Sequence, residues 1–257
     1  MPLEIYPLKS PVLKKDFNLL KAIESVLSKA KLNLKSGDIL ILSSKIVALS
    51  LGRVVDLNKI TPSSVAKKLQ KTHYGRHEED PRVIELILRE ADKVFQGKML
   101  LTLKDGILIP SAGIDFSNAP KGFAILWPKN PWREAQNLRT ALARKFKLKK
   151  LGVVIIDSHC QPLRWGTTGI ALSWAGFLGV EDCRGEKDIF GKPLKVTKKA
   201  VADNLASGAL LVMGEAAEKI PFALARNAPV KFTNRMQKKS EVFIRPKDCL
   251  FGGVIKY

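Results

Sequence analysis

Little in this sequence supports a disulfide framework, a leader peptide or a membrane span. The three cysteines are odd in number, and Cys160, Cys183 and Cys249 lack the paired spacing of metal-binding or redox motifs. The longest uncharged apolar run, over 165–180, is too short and too rich in glycine to cross a bilayer. The first residues contain no apolar signal core. We therefore expect a soluble cytoplasmic protein whose partners do not include a membrane.

Acidic residues are also scarce, because 24 Asp and Glu stand against 44 Lys and Arg, which gives a formal net charge of +20. Such an excess favours polyanionic partners: nucleic acid, nucleotides or acidic cofactors. The lysines are spread along the chain, however, so a solvated basic surface is the simpler interpretation. We expect no specific nucleic-acid partner.

Hydrophobic periodicity and turn residues predict strands and helices in no regular alternation. Predicted strands cover 3–8, 39–42 with its continuation 46–55, the hairpin 100–103 and 106–110, 124–127, 153–156, 222–226, and a final strand in the tail 231–257. Predicted helices are one capped by Asp16, one from Thr61 to Lys71, and those over 82–94, 134–147 and 201–212. The sequence thus predicts an α+β fold, one domain over 1–257 with two lobes whose chain segments interleave and whose boundary the sequence does not reveal.

The stretch 153–215 carries the densest chemistry. A buried strand over 153–156 ends in Asp157 and Ser158, a carboxylate beside a hydroxyl that suits a hard cation such as Mg²⁺ or Mn²⁺. The following helix stops at Gly214 and presents Glu215, a second candidate metal carboxylate. Between them lies a glycine-rich segment with Arg164 and Arg184, and these arginines can bind phosphate or carboxylate in a bidentate manner.

Three further constellations are weaker when taken alone. Ser43, Ser44 and Lys45 follow a predicted strand and could hold phosphate, although such triplets are more often plain loops. Asp115 and Asn118 lie three apart in a loop of small residues, where both are usually turn formers. His73 and His77 lie four apart, but Gly75 between them favours a loop over a metal site.

The order and spacing of these motifs resemble the coenzyme F420-0:γ-glutamyl ligase family over about residues 3 to 226. The matching motifs are Asp80-Pro81-Arg82, the segment from Ala112 to Asn118, Ile156-Asp157-Ser158, the segment from Arg164 to Ala171, Asp182-Cys183-Arg184-Gly185, Ala202-Asp203 and Met213-Gly214-Glu215. The resemblance implies the ligase-like fold of that family and a homodimer with sites near the subunit interface.

The resemblance also implies the residues of the site. It assigns nucleotide binding to Pro11, Val12, Leu13, Lys14, Ser44, Lys45, Asn118, Met213, Gly214, Ala216, Ala217 and Glu218. It assigns Asp115 and Asp157 to one divalent cation, Mg²⁺ or Mn²⁺, and Ser158 and Glu215 to a second. A monovalent cation is a further candidate cofactor, and no side chain is expected to take part covalently.

The activity that the resemblance implies is the GTP- or ATP-dependent addition of L-glutamate to the carboxylate of coenzyme F420-0 through an acyl phosphate. Folate is the alternative acceptor. The chain departs from the family pattern at Leu49, at Asn130-Pro131-Trp132 and at Ala216-Ala217, which is consistent with a shifted acceptor or nucleotide. A different class of protein, a basic binding protein with this fold and no catalysis, remains open. The presence of Asp115, Asn118, Asp157 and Glu215 argues against it, since a binding protein has no need of all four.

Overall fold

The structure is a computed structural model that describes residues 1–14, 16–71, 79–95, 99–237 and 239–252. It combines helices with mixed sheets, which confirms the predicted α+β class. The strands are β1 Glu4–Leu8, β2 Asp38–Ser43, β3 Val54–Asp56, β4 Lys93–Phe95, β5 Leu101–Lys104, β6 Ile107–Pro110, β7 Phe123–Ile125, β8 Leu151–Cys160, β9 Thr167–Ala175, β10 Val180–Asp182, β11 Lys198–Ala200 and β12 Phe222–Arg226. The helices are α1 Leu19–Lys29, α2 Ser44–Ser50, α3 Ser64–Gln70, α4 Pro81–Glu90, α5 Pro131–Lys145, α6 Val201–Met213 and α7 Lys239–Val242.

A five-stranded sheet in the order β1-β12-β2-β8-β9 forms the main core. Its β2–β8 pair is parallel, and the other pairs are antiparallel. Successive residues of a strand point to opposite faces, so Leu40 and Leu42 pack with α1 and α5, whereas Ile39 and Ile41 pack with α6. Both faces of β2 are therefore buried, which explains why its sequence from Ile39 to Leu42 is entirely apolar.

A second group of elements is inserted between β2 and β8. It contains the β3–β7 pair, the β4-β5-β6 meander, and helices α3 and α4. A separate hydrophobic cluster holds it together, with Ile84 and Ile87 of α4 against Leu100 and Leu126. The central sheet is consequently built from chain segments on either side of this insertion, and the site lies where the two groups meet.

One predicted strand, over 46–55, is a helix as far as Ser50, and only Val54 and Val55 at its end lie in a strand, β3. Residues 46–55 were expected to continue β2, but the chain turns at Ser43, whose hydroxyl accepts a hydrogen bond from the Ile46 N–H and caps α2. The β-branched residues Ile46 and Val47 suggested a strand. Their burial against the core, together with the Ser43 cap, favours the helix.

Helix boundaries also shift from those predicted. Asn18, not Asp16, caps α1 by accepting from the Lys21 N–H at 3.0 Å. Ser63, rather than Thr61, caps α3 by accepting from the Ala66 N–H. The helix predicted over 82–94 ends at Glu90, because residues 93–95 pair with β5.

Other predictions agree with the structure more closely. The hairpin is β5–β6, the helix over 201–212 is α6, and the strand over 222–226 is β12. The strand over 153–156 runs further than expected, to Cys160, with a bulge between Ile155 and Ile156. His73 and His77 lie outside the described residues, and the strand predicted in the tail falls partly outside them. Among the described residues, no helix has the length and apolar character that crossing a membrane requires.

Candidate functional site

A cleft of about 570 Å³ opens where the central sheet meets the inserted group. It collects all but one of the residues that the resemblance assigns to nucleotide and metal binding, although these come from distant parts of the chain. Its lining includes Pro11, Val12, Leu13, Ser44, Lys45, Asp115, Asn118, Asp157, Ser158, Met213, Gly214, Glu215, Ala216, Ala217 and Glu218. Lys14 is the exception, because it is exposed and does not line the cleft.

Asp157 lies at the floor of the cleft, directly after the bulge in β8. One carboxylate oxygen accepts from the Ser158 N–H at 2.9 Å, and the other accepts from the indole N–H of Trp127. Burial raises the pKa of the Asp157 carboxyl to about 6, and the neighbouring charge of Asp115 adds to this rise. The two hydrogen bonds and the ammonium of Lys45 oppose the shift. The ionised form of Asp157 is therefore incompletely compensated.

Asp115 faces Lys45 across the same floor. The Lys45 ammonium lies 2.6 Å from Asp115 Oδ2 and donates to the Ser117 hydroxyl at 2.8 Å. The Ser117 N–H donates to Asp115 Oδ1 at 2.6 Å, while the backbone of Asp115 pairs with Ile125. Strand pairing thus fixes the backbone of Asp115, and the loop that follows fixes its carboxylate.

The turn after α6 forms one rim of the cleft. Gly214 ends the helix at φ +75°, where a Cβ would lie 2.3 Å from the Glu218 carboxyl carbon, so glycine is required here. The Glu218 carboxylate accepts from the Ala216 N–H at 2.8 Å. Asn118 donates to the Ala216 carbonyl at 3.3 Å. The rim is tied in this way to the Asp115 loop.

Glu215 lies on the same turn. Its carboxylate accepts from the Thr167 hydroxyl at 2.6 Å, which connects the rim to the start of β9. This contact holds the carboxylate beside the β8–β9 hairpin that carries Ser158.

The four candidate ligands, Asp115, Asp157, Ser158 and Glu215, offer only oxygen donors, which hard cations such as Mg²⁺ and Mn²⁺ accept. Within the described residues, no three His, Cys, Asp or Glu side chains form a group that could hold a metal ion. Magnesium is commonly bound by one or two carboxylates together with substrate phosphates and water. The pair of Asp115 and Asp157 fits that mode of binding, in which the nucleotide supplies further ligands.

The arginines of the glycine-rich segment do not line the cleft. Arg184 binds Asp182 in a bidentate manner, with Nε 2.8 Å from Oδ1, and lowers the pKa of that carboxyl well below its usual range. Arg164 lies in the exposed turn between β8 and β9. Of the two partners expected for these arginines, phosphate or carboxylate, Arg184 has a carboxylate, and that partner belongs to the chain itself.

Sequence reasoning missed three residues of the site. Trp127 was assigned only to a strand, Cys160 only to the count of thiols, and Thr167 to no role. Trp127 contacts Asp157, Cys160 lines the cleft, and Thr167 binds Glu215. Only the alternation along β8 could have pointed to one of them, by placing Cys160 on the same side as Ser158.

Comparison with known proteins gives a consistent result. The family described as F420-0:Gamma-glutamyl ligase matches residues 7–227. The Coenzyme F420:L-glutamate ligase of Methanocaldococcus jannaschii is 38% identical over 250 residues, which cover 95% of this chain and 94% of that protein. The protein of the same name from Methanopyrus kandleri is 38% identical over 196 residues, 75% of this chain and 76% of its own. That from Archaeoglobus fulgidus is 30% identical over 241 residues, 93% of each chain.

The exposed thiol of Cys160 provides a probe of the cleft. We expect a thiol reagent to label Cys160 faster than Cys183 or Cys249, which are partly buried. A nucleotide bound with Mg²⁺ should slow the labelling of Cys160 alone, because that thiol lies in the cleft. Mass spectrometry of the labelled peptides measures both effects, and Cys160→Ser should remove the fast phase. Equal protection of the three thiols, or none, would show that the nucleotide does not bind here.

Proposed function

The chain belongs to the F420-0:γ-glutamyl ligase family, and we propose that it joins L-glutamate to coenzyme F420-0 at the expense of a nucleoside triphosphate. The relatives' names mark the chain as a ligase that forms an amide bond. One observation carries the finer proposal. Lys45, Asp115 and Asp157, the first and last of which are 112 residues apart in the sequence, meet at the floor of a single cleft.

The proposed reaction has two steps. A carboxylate oxygen of the acceptor attacks the γ-phosphorus, the bond to the β-phosphate oxygen breaks, and the nucleoside diphosphate leaves. The ammonium group of L-glutamate loses one proton to solvent, and the resulting amine attacks the acyl carbon. The nitrogen loses a second proton to the departing phosphate or to solvent, and the amide bond forms as the bond to phosphate breaks and inorganic phosphate departs.

Phosphoryl transfer of this kind needs positioning and charge neutralisation more than covalent participation by the protein. Divalent cations held by Asp115 and Asp157, and by Ser158 and Glu215, would neutralise the phosphate charge when bound. The chain supplies the ligands and holds their orientation. It also supplies Lys45. Once a bound cation compensates the charge of Asp115, the Lys45 ammonium would be free to contact a phosphate oxygen.

The nucleotide would lie between the segment 11–13 and the rim 213–218, both of which line the cleft. Leu49 also lines it, at the position where the family pattern has a lysine. That contact is then apolar, and Lys45 is the nearest replacement for the missing charge. Nothing in the lining distinguishes guanine from adenine, so both GTP and ATP are candidate substrates.

The decisive assay incubates the purified chain with L-glutamate, Mg²⁺ or Mn²⁺, GTP or ATP, and either F420-0 or a reduced folate. We expect mass spectrometry to show one added glutamate on F420-0, and EDTA to abolish the product until Mg²⁺ or Mn²⁺ is restored. Product from folate alone would change the acceptor but keep the mechanism. An unchanged rate under chelation would contradict the cation sites, and product from neither acceptor would contradict the proposal.

We also propose that two copies of the chain associate near the site. Large apolar side chains are exposed on two segments, the β8–β9 turn and the β10–β11 connection. These are Leu163, Trp165, Ile189, Phe190 and Val196. Several large apolar side chains exposed on short segments favour an interaction site over plain solvent exposure.

Light scattering should therefore give a mass near twice the 28.4 kDa of one chain. The double variant Leu163→Ser, Trp165→Ser should shift the protein towards the monomer, because Trp and Leu would no longer bury apolar surface. The variant Val65→Ser, at an exposed position on α3, serves as the control and should not change the mass. A monomeric parent protein would contradict this part of the proposal.

Asp157→Asn should nearly abolish ligation while the fold persists. Asn is almost isosteric, and although it can no longer accept from both Ser158 and Trp127, it also removes a buried charge that burial disfavours. We expect a loss on the order of a thousandfold in rate, because one ligand charge is gone and each tenfold corresponds to ~1.4 kcal/mol. Thermal unfolding and turnover measure the two effects.

Asp203→Asn is the matched control. The Asp203 carboxyl is also buried with a raised pKa and accepts from the Ala171 N–H at 2.9 Å, but it does not line the cleft. The turnover of Asp203→Asn should stay within about tenfold of the turnover of the parent protein. If Asp157→Asn retains turnover in that same range with an unchanged midpoint, Asp157 is not a cation ligand.

A further inference from the structure

We infer that Trp127 is a positioning residue that orients the Asp157 carboxylate for cation binding, an inference that rests on the proposed function. Trp127 follows β7 and belongs to the inserted group, whereas Asp157 belongs to the central sheet. The indole N–H of Trp127 donates to Asp157 Oδ2. This hydrogen bond crosses the junction at which the cleft opens.

The indole is itself held by packing. Trp127 is 2% exposed and contacts Ile107, Ile109 and Leu172 in a small hydrophobic cluster. Leu172 lies opposite the β8 bulge, between the residues that pair with Ile155 and Ile156. The same cluster therefore secures the donor and the strand that carries the acceptor.

The ring also abuts the loop that carries Asp115. A Cβ at Gly113 would lie 2.2 Å from a ring atom of Trp127, and Gly113 has a φ of +66°. Only glycine permits so close an approach in that conformation. Because Gly113 lies two residues before Asp115, the indole contacts both segments that supply ligands to the first proposed cation.

A third contact fixes the main chain. The Trp127 carbonyl accepts from Arg53 Nε at 3.1 Å. Arg53 pairs with Glu90 at 2.8 Å, and Glu90 also pairs with the buried ammonium of Lys104 at 2.5 Å. The ring of Trp127 is held by the hydrophobic cluster and by Gly113, and its carbonyl is held by Arg53. The indole N–H therefore has little freedom to turn away from Asp157.

The chemistry gives this hydrogen bond a role beyond packing. An ionised carboxylate has about four acceptor positions, and Trp127 and Ser158 use one on each oxygen. Each oxygen keeps a lone pair that a cation could accept, and the two hydrogen bonds fix the direction in which these lone pairs point. Partners that orient a ligating group typically change metal affinity by about 10- to 100-fold when removed.

Trp127→Phe and Trp174→Phe form a matched pair for the test. Trp174 is 5% exposed, donates its indole N–H to Gln237 Oε1 at 2.6 Å, and packs on Gly179, where a Cβ would lie 2.0 Å from the ring. It does not line the cleft. Both variants lose a buried indole N–H bond, but only Trp127→Phe loses one to a proposed ligand.

The measurement is the affinity of Mn²⁺ for the protein in the presence of non-hydrolysable GTP or ATP analogues. Electron paramagnetic resonance monitors the concentration of free Mn²⁺. We expect Trp127→Phe to weaken Mn²⁺ binding by about tenfold or more and Trp174→Phe to leave it within about twofold. Equal affinities in a folded Trp127→Phe protein would overturn the inference. If the parent itself binds no Mn²⁺ with either analogue, the proposed function fails and this inference fails with it.

A measurement on the parent protein covers the case in which Trp127→Phe does not fold. The chain has four tryptophans, and the indole signals in a ¹H–¹⁵N spectrum can be assigned by substituting Trp132, Trp165 and Trp174 singly. Adding Mg²⁺ with the nucleotide analogue should move the Trp127 indole signal more than that of Trp174. A Trp127 signal that stays in place while the nucleotide binds would also overturn the inference.

Discussion

The electrostatic balance among Asp157, Asp115 and Lys45 is the constraint around which the site is arranged. Two carboxylates share one floor with one ammonium, which is 2.6 Å from Asp115, while burial first and the charge of Asp115 second raise the pKa of Asp157 to about 6. Like charges held close together are costly unless a cation compensates them. The bulge in β8, the buried indole of Trp127 and the pairing of Asp115 with Ile125 all serve to keep these groups together. Charge, rather than the shape of the cleft, is what a bound cation would balance at this floor.

Local patterns in the sequence predicted the elements that carry the site, but not the contacts between them. The strand before Asp157 and the helix before Gly214 were readable because each has a clear apolar period and a clear stop. Helix α2 was misread because Ile46 and Val47 favour strands locally, whereas the Ser43 cap and burial favour a helix. Trp127 could not be connected to Asp157 from sequence, since thirty residues and two element groups separate them.

Arg184 shows how a motif can leave the partner of a side chain undecided. In the sequence, Arg184 among glycines suggested a bidentate partner, phosphate or carboxylate, because guanidinium binds both well. In the fold, Asp182 lies two residues earlier on the same turn and takes the bidentate geometry for itself. The segment then serves to present apolar side chains outward, and this surface is the basis for proposing a second copy of the chain. Spacing identified the segment, but only the turn geometry shows which partner its arginine selects.

The carboxylates that line the cleft distinguish a catalytic site from a site that only binds an anion. In a chain with a net charge of +20, the cleft proposed to accept a nucleotide carries Asp115, Asp157, Glu215 and Glu218. Carboxylates beside phosphates repel them, so a protein that only bound an anionic cofactor would hold it better without them. The repulsion becomes attraction when a divalent cation lies between carboxylate and phosphate. That arrangement also neutralises charge on the phosphoryl group as it transfers. The carboxylates therefore weaken a binding protein and suit a ligase.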